Sequence, residues 1–165
     1  MSKTPDPLVI VNTSPLLYLH QIGHLDLLHR LYSTITTPTA VQKELEAGKA
    51  QGVDVPDLAT VNWIQISAVA PPTPLQSEID LGQGEAEVIA LGLSFPESLL
   101  ILDDQLGRQI AALYRLKYTG TLGILIKAKQ MGYLPTIAEV ITSLQQKGMW
   151  LSDTIIQEAY RLAGE

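Results

Sequence analysis

The chain alternates short apolar runs with longer stretches whose apolar residues return every three or four positions. LVIVN (8–12), Thr34–Thr37 and SLLILD (98–103) are short and rich in branched side chains, and predict buried strands. KYTGT predicts a further short strand or turn near 118, and WIQIS (63–67) alternates like a strand that could lie off the main sheet. Between these runs the period is helical. Thr13-Ser14-Pro15 reads as a helix start, with Ser14 as N-cap and Pro15 at the first helical position. Leu16, Leu17 and Leu19, then Leu25, Leu27, Leu28 and Leu31 beyond Gly23, predict a helix, a break and a second helix. TAVQKELEAGKAQG follows Pro38 and ends at Gly48 or Gly52. Residues 75–80 and 83–95 predict two helices parted by Gly82, and QLGRQIAALYRL predicts another after the strand near 100. TLGILIKAKQMG, TIAEVITSLQQKG and SDTIIQEAYRLAGE complete the pattern; each begins with Ser or Thr, and two are followed by Gly.

Short apolar strands alternating with longer helices predict an α/β fold: a mainly parallel central sheet of about four to five strands, covered by helices on both faces. The 165 residues suit a single domain, 1–165, with 136–165 as its C-terminal helical extension. PPTP (71–74) is the strongest linker-like signal and is too short to separate domains. In the extension, Ile137, Val140, Ile141 and Leu144 form one apolar stripe, and Ile155, Ile156, Ala159 and Leu162 another. Such stripes cap a core, or form a dimer surface or a groove for a partner.

Composition narrows the function classes. The apolar fraction of 46% and charged fraction of 17% are those of an ordinary globular protein. The chain has no cysteine, which excludes a disulfide framework, thiol catalysis and a cysteine zinc site, and fits a reducing cytoplasm. The first 15 residues lack the long apolar stretch of a secretory leader, and no run reaches the roughly 18 apolar residues of a membrane span. A cytoplasmic protein with no membrane partner is the expectation. The net charge of −6 argues against binding nucleic acid by broad electrostatic attraction.

The chemistry is concentrated in carboxylates at the ends of apolar segments. Glu44 lies in VQKELEAG, Glu85 in GEAEVIALGL, and Asp103 and Asp104 close LLILDD, while the equivalent place after LVIV holds Asn12. The carboxyl edge of an open parallel sheet is where ligands bind. If these acids converge there, their like charges call for a cation. Mg²⁺ or Mn²⁺ suits an all-oxygen site with few protein ligands and several waters. Singly, each acid has a plainer reading. Glu85 complements a helix dipole, Asp104 or Asp103 caps the next helix, and Glu44 is a solvated neighbour of Lys43. Glu87, Glu46, Asp80 and Asp26 read as surface charges. Arg108, one helical turn after Asp104, could meet a phosphate or pair weakly with that acid. Lys127 and Lys129 read as a solvated helix face. His20, His24 and His29 read as surface or helix-end residues, and Trp63 and Trp150 as packing residues.

VIVNTSPLLYL, TPTAVQKELEAG, GQGEAEVIALGLS, LLILDDQLGRQIA and YTGTLGILIKAKQMG, in this order and spacing, resemble the PIN-domain superfamily over roughly residues 8–134. The resemblance implies a parallel sheet with helices on both sides and a metal-dependent ribonuclease site. In many members it implies a VapC-like toxin paired with an antitoxin protein, and a homodimer. It carries the family's first acid onto Asn12, the second onto Glu44 and the third onto Glu85. The fourth falls on Asp104, with Asp103 a close alternative, and Ser14 matches a small hydroxyl residue near the metal. Asn12 is the departure, since an amide oxygen can coordinate a cation but carries no charge. RNA is the implied substrate, with Ser14 and Arg108 as candidate substrate contacts. Two other readings remain beside it. One is a PIN-like module that binds RNA or a protein with little or no catalysis. The other is a generic doubly wound nucleotide-binding or response-regulator-like domain, against which NTSPLL offers no glycine-rich phosphate loop.

Overall fold

Three-residue apolar segments can be strands only if neighbours on both sides satisfy their backbone, and the sheet provides this. The structure, a computed structural model, describes residues 6–78 and 80–165. Residues 1–5, part of the leader reading, and Ile79, inside the helix expected over 75–80, lie outside the described residues. β1 (Val9–Val11) is followed by α1 (Thr13–Gln21), α2 (Asp26–Tyr32) and β2 (Ile35–Pro38). α3 (Thr39–Ala50) leads to β3 (Ile64–Ser67), then the short α4 (Thr73–Gln76) and α5 (Gln83–Ser94). β4 (Leu99–Ile101), α6 (Gln105–Leu113), β5 (Lys117–Thr119) and α7 (Thr121–Gln130) follow, and α8 (Ala138–Gln146) and α9 (Asp153–Ala163) end the chain.

The sheet has five strands in the order β3-β2-β1-β4-β5, and every pairing is parallel. β1 is central. The chain steps from it to β2 and β3 on one side, then crosses to β4 and β5 on the other. The order therefore reverses between β1 and β4, and the carboxyl ends of those strands form the crevice where an open α/β sheet binds ligands. Val9 pairs with Leu99 and Val11 with Ile101, so the two strands end level and release Asn12 and Leu102-Asp103-Asp104 side by side.

Ile10, Leu100, Ile101 and Leu102 are fully buried from the sheet, and Leu16, Leu28, Ile89 and Ile124 close over them from the helices. Each such side chain contributes roughly 1.5–3 kcal/mol by leaving water. This apolar floor fixes the strand ends on which the polar groups stand.

Several sequence expectations shift. WIQIS joins the main sheet: β3 is its edge strand, paired from Ile35–Ile64 to Pro38–Ser67. Its cover is incomplete: Ile64 is buried, but Ile66, two positions on and so on the same face, is exposed. α1 begins at Thr13 with Asn12 as its extended N-cap residue, so Ser14 is not the cap. The helix expected over 75–80 is a single turn ending at Gln76. In the C-terminal region the stripe of Ile137, Val140, Ile141 and Leu144 is core, whereas of the second stripe Ala159 is buried and Ile155 and Leu162 are exposed. Trp150, expected to pack, is 82% exposed. Trp63 does pack, stacking on His29 with ring centroids 5.2 Å apart.

Candidate functional site

Asn12 is the first residue beyond β1. Its backbone N–H donates to the Ile101 carbonyl at 2.9 Å, which locks it against β4. Its side chain is almost wholly buried, at 1% exposure. Nδ2 donates to Glu85 Oε1 at 3.1 Å. Oδ1 is buried and has no hydrogen-bond partner among the described residues. A buried orphan acceptor costs about 1–3 kcal/mol unless something answers it.

Glu44 reaches the same place from α3. Its Oε1 accepts the Gly84 N–H at 3.0 Å, and its Oε2 accepts the Thr13 hydroxyl. Gly84, in the first turn of α5, explains how these groups come so close. A Cβ at that position would stand 2.9 Å from Asn12 Oδ1 and 2.9 Å from each Glu44 carboxylate oxygen. Only a bare glycine leaves this oxygen-lined space open.

Glu85 follows in the same first turn, at the positive end of α5. Asp104 is the N-cap of α6, with Oδ2 accepting the Gly107 N–H at 2.7 Å. Gly107 lies between these two acids: a Cβ there would be 3.4 Å from Asp104 Oδ2 and 3.5 Å from Glu85 Cγ. Asn12, Glu44 and Glu85 thus gather directly, and Asp104 borders them. The plainer readings of Glu85 and Asp104, dipole partner and cap, hold at the same time as this convergence.

Asp103 turns the other way. Its two oxygens accept the Thr121 N–H at 2.8 Å and the Thr121 hydroxyl at 2.6 Å, tying β4 to the start of α7. Arg108 makes no ion pair with Asp104. Its Nε donates to the Leu102 carbonyl at 2.9 Å, and its guanidinium carbon lies 5.4 Å from the centre of the Tyr118 ring. Ser14 is half-buried on α1, and the hydroxyl that reaches Glu44 belongs to Thr13. Lys129 is not a solvated side chain: Nζ donates to the Ala163 carbonyl at 3.0 Å, holding the end of α9.

Sequence reasoning missed Thr13, Gly84 and Glu87. Glu87 is buried rather than a surface charge. It accepts the Ala40 N–H at 3.0 Å and the Gln83 amide at 2.8 Å, which clamps α3 to α5 beside Glu44 and Glu85. A legible signal for Gly84 was its place at a helix start where alanine would be the better helix former. Thr13 and Glu87 carried none, because only the fold brings their partners near. A cleft of about 600 Å³ opens against Glu44, with Lys43, Gln83 and Val69 among its walls.

Among the described residues, no three His, Cys, Asp or Glu side chains cluster as metal ligands. The oxygen-rich group here is two carboxylates and an amide. Its orphan Oδ1, the Glu44 oxygens beside it and the bare glycine make a cradle whose donors fit a hard divalent cation.

A parallel five-stranded sheet whose switch point carries this acid-and-amide group defines a doubly wound α/β protein with a polar crevice at the carboxyl edge of its sheet. The family model DUF3368, described as a PIN domain, matches residues 8–165, and the chain belongs to that family. The PIN domain is a nuclease fold of nucleic acids, and its members generally use divalent metals. Comparisons with curated proteins and with solved structures gave no match. Among the described residues no helix is long and apolar enough to cross a membrane.

Proposed function

We propose that the chain is a Mg²⁺- or Mn²⁺-assisted endoribonuclease that hydrolyses RNA phosphodiesters. The observation that carries this reading is the buried, unanswered Oδ1 of Asn12 facing the Glu44 carboxylate across Gly84, beside Glu85 at the sheet's switch point. Asn12, Glu44 and Glu85 would hold the cation, with Asp104 at its margin and Asp103 farther off. When bound, the ion supplies charge against the phosphate oxygens and lowers the pKa of water. The chain's own groups do the rest. Asp104, the exposed acid of the set, can take a proton from an attacking water on the solvent side. Arg108 presents its charge to a phosphodiester entering along the carboxyl edge. Thr13 and Gly84 fix the Glu44 carboxylate so that it does not reorganise during reaction.

The test is cleavage of single-stranded and structured RNA with Mn²⁺ by wild type, Glu44→Gln and Asp104→Asn. Loss in both variants is expected, and equal activity in all three removes the assignment. A toxin role with an antitoxin partner, a homodimer and a cytoplasmic setting extend the proposal from the family resemblance. Light scattering reads the oligomer.

A second reading, a binding module with weak or no catalysis, is favoured by one observation. Asn12 Nδ2 satisfies Glu85 without any ion. Calorimetric Mn²⁺ binding by wild type and Asn12→Asp separates the two: equal affinity removes this reading's support, and binding only by the variant favours it.

A further inference from the structure

Beyond the acid group the carboxyl edge continues along β5 into a groove of about 620 Å³. Asp103, Arg108 and Tyr118 line it, together with Trp150, Ile155 and Glu158 from the C-terminal segment, Glu158 being paired with Arg161. The volume is within the roughly 300–1,000 Å³ of small-ligand clefts. Three features mark it. Trp150 is 82% exposed, so its ring is given to solvent rather than the core, and Tyr118 is 41% exposed. Arg108 is held at the mouth by its bond to the Leu102 carbonyl and lies over the Tyr118 ring. It has no ion pair among the described residues. Gly120 keeps the place clear: a Cβ there would be 2.1 Å from an Arg108 terminal nitrogen and 2.6 Å from Asp103 Oδ1, an acid whose two oxygens are already engaged by Thr121.

A cation outside any ion pair, one helical turn from Asp104 and beside an exposed tryptophan, matches a nucleotide: phosphate on the guanidinium, base on the Trp150 ring. The overall charge of −6 sets how such an occupant would be held. A chain that repels polyanions in general must hold RNA by stacking and a few local contacts. Resting on the nuclease reading above, we propose that the Arg108–Tyr118–Trp150 groove is a subsite for an unpaired nucleotide of single-stranded RNA flanking the bond at the acid group. Duplex RNA, whose bases are already stacked on one another, does not fit it.

The experiment is anisotropy of a fluorescein-labelled single-stranded 12-nucleotide RNA with the full chain in EDTA, where nothing is cut. Tryptophan emission is recorded in parallel. Binding of the single strand should exceed that of the same sequence as a duplex and should quench Trp150. Trp150→Ala should weaken it by about tenfold or more, while Trp150→Phe, which keeps a stacking face, retains most of it. Arg108→Gln should lower affinity and flatten the salt dependence. At roughly 0.7 per phosphate, the wild-type log–log slope should lie near −0.7 to −1.4 for one or two contacts. The proposal is overturned if Trp150→Ala binds like wild type, if duplex binds equally well, or if the salt slope is steeper than about −3. It is also overturned if Trp150→Ala dissolves a dimer yet binds RNA normally, which would make the groove a contact between copies. The two readings fail separately. Glu44-dependent cleavage with binding indifferent to Trp150 sinks the groove alone. Trp150-dependent binding without Glu44-dependent cleavage sinks the nuclease alone.

Discussion

Replacing Gly84 by alanine sets two magnitudes against each other at the centre of the site. On helix propensity alone the change should stabilise. Alanine is favoured over glycine by about 1 kcal/mol inside a helix, and a first-turn position captures only part of that. Against it stands the space the methyl would enter, 2.9 Å from Asn12 Oδ1 and from both Glu44 oxygens. Asn12 is buried and held by two hydrogen bonds, so Glu44 must move. Its displacement breaks the Gly84 N–H bond and the Thr13 hydroxyl bond. A hydrogen bond to a charged group is worth about 1.5–3 kcal/mol, and part of the loss is recovered by water. The balance is a net destabilisation of about 1–2 kcal/mol, or about 2–8 °C in Tm for a chain of this size. Differential scanning calorimetry reads the stability, and Mn²⁺ titration reads the site. Gly84→Ala should melt lower and bind Mn²⁺ more weakly. A raised Tm with unchanged Mn²⁺ binding would refute the argument, because it would mean the glycine serves no close approach.

Glu87→Ala strands the buried Ala40 N–H and should cost about 1–3 kcal/mol in urea unfolding; a change below about 0.5 kcal/mol would show that α3 does not need the clamp. Asn12→Asp adds a charge beside Glu85 and Glu44 and removes the amide donor. Up to ~4 kcal/mol of repulsion per pair at 4 Å should lower Tm in EDTA and be relieved by Mn²⁺, and an EDTA Tm equal to wild type counts against it. Glu165 is held below the ordinary glutamate range, first by the Thr136 hydroxyl and then by the Ile137 N–H. Its stabilising effect is therefore complete above about pH 4.3 and lost as pH falls through the lower folded value. Glu165→Gln should show a shallower loss of stability below about pH 4.3, and parallel acid-unfolding curves for the two proteins would refute this.

The sheet was readable because LVIV and LLIL are buried on both faces, and continuous apolar runs are what such strands require. The edge strand β3 was harder to place, since WIQIS alternates as strands with one open face do and alternation does not say which sheet a strand joins. The acids were readable as residues at element ends but not as a set. Asp103 and Asp104 are adjacent, and only the turn into α6 decides that Asp104 caps α6 through the Gly107 N–H while Asp103 binds Thr121. Glu85 and Glu87 differ by two helical positions, which turns one to the crevice and the other to the Ala40 N–H. Trp150 misled because a large aromatic is usually packed. Its exposure follows from the connector between α8 and α9, whose path the local sequence does not encode.

Asn12 divides the site unequally, and that inequality can be measured. Its donor end is satisfied by Glu85, so this pairing is complete without a cation. Its acceptor end is unanswered and shares the space over Gly84 with both Glu44 oxygens. A divalent ion in the space over Gly84 meets the unanswered Asn12 Oδ1 together with both Glu44 oxygens, each of which already accepts one uncharged donor, from Gly84 or Thr13, whereas Glu85 is tied to the amide N–H. Glu44→Gln should therefore weaken Mn²⁺ binding more than Glu85→Gln does. With about 1.4 kcal/mol per tenfold and charged contacts near 1.5–3 kcal/mol, the Glu44 variant should lose roughly ten- to a hundredfold. An aspartate at position 12 would place charge toward both acids and bring the two losses together. Calorimetry on the two glutamine variants, in the Asn12 and Asn12→Asp backgrounds, reads this directly. If Glu85→Gln is the more damaging change with Asn12 present, the amide turns its oxygen toward Glu85, and the cradle over Gly84 is not where the cation sits.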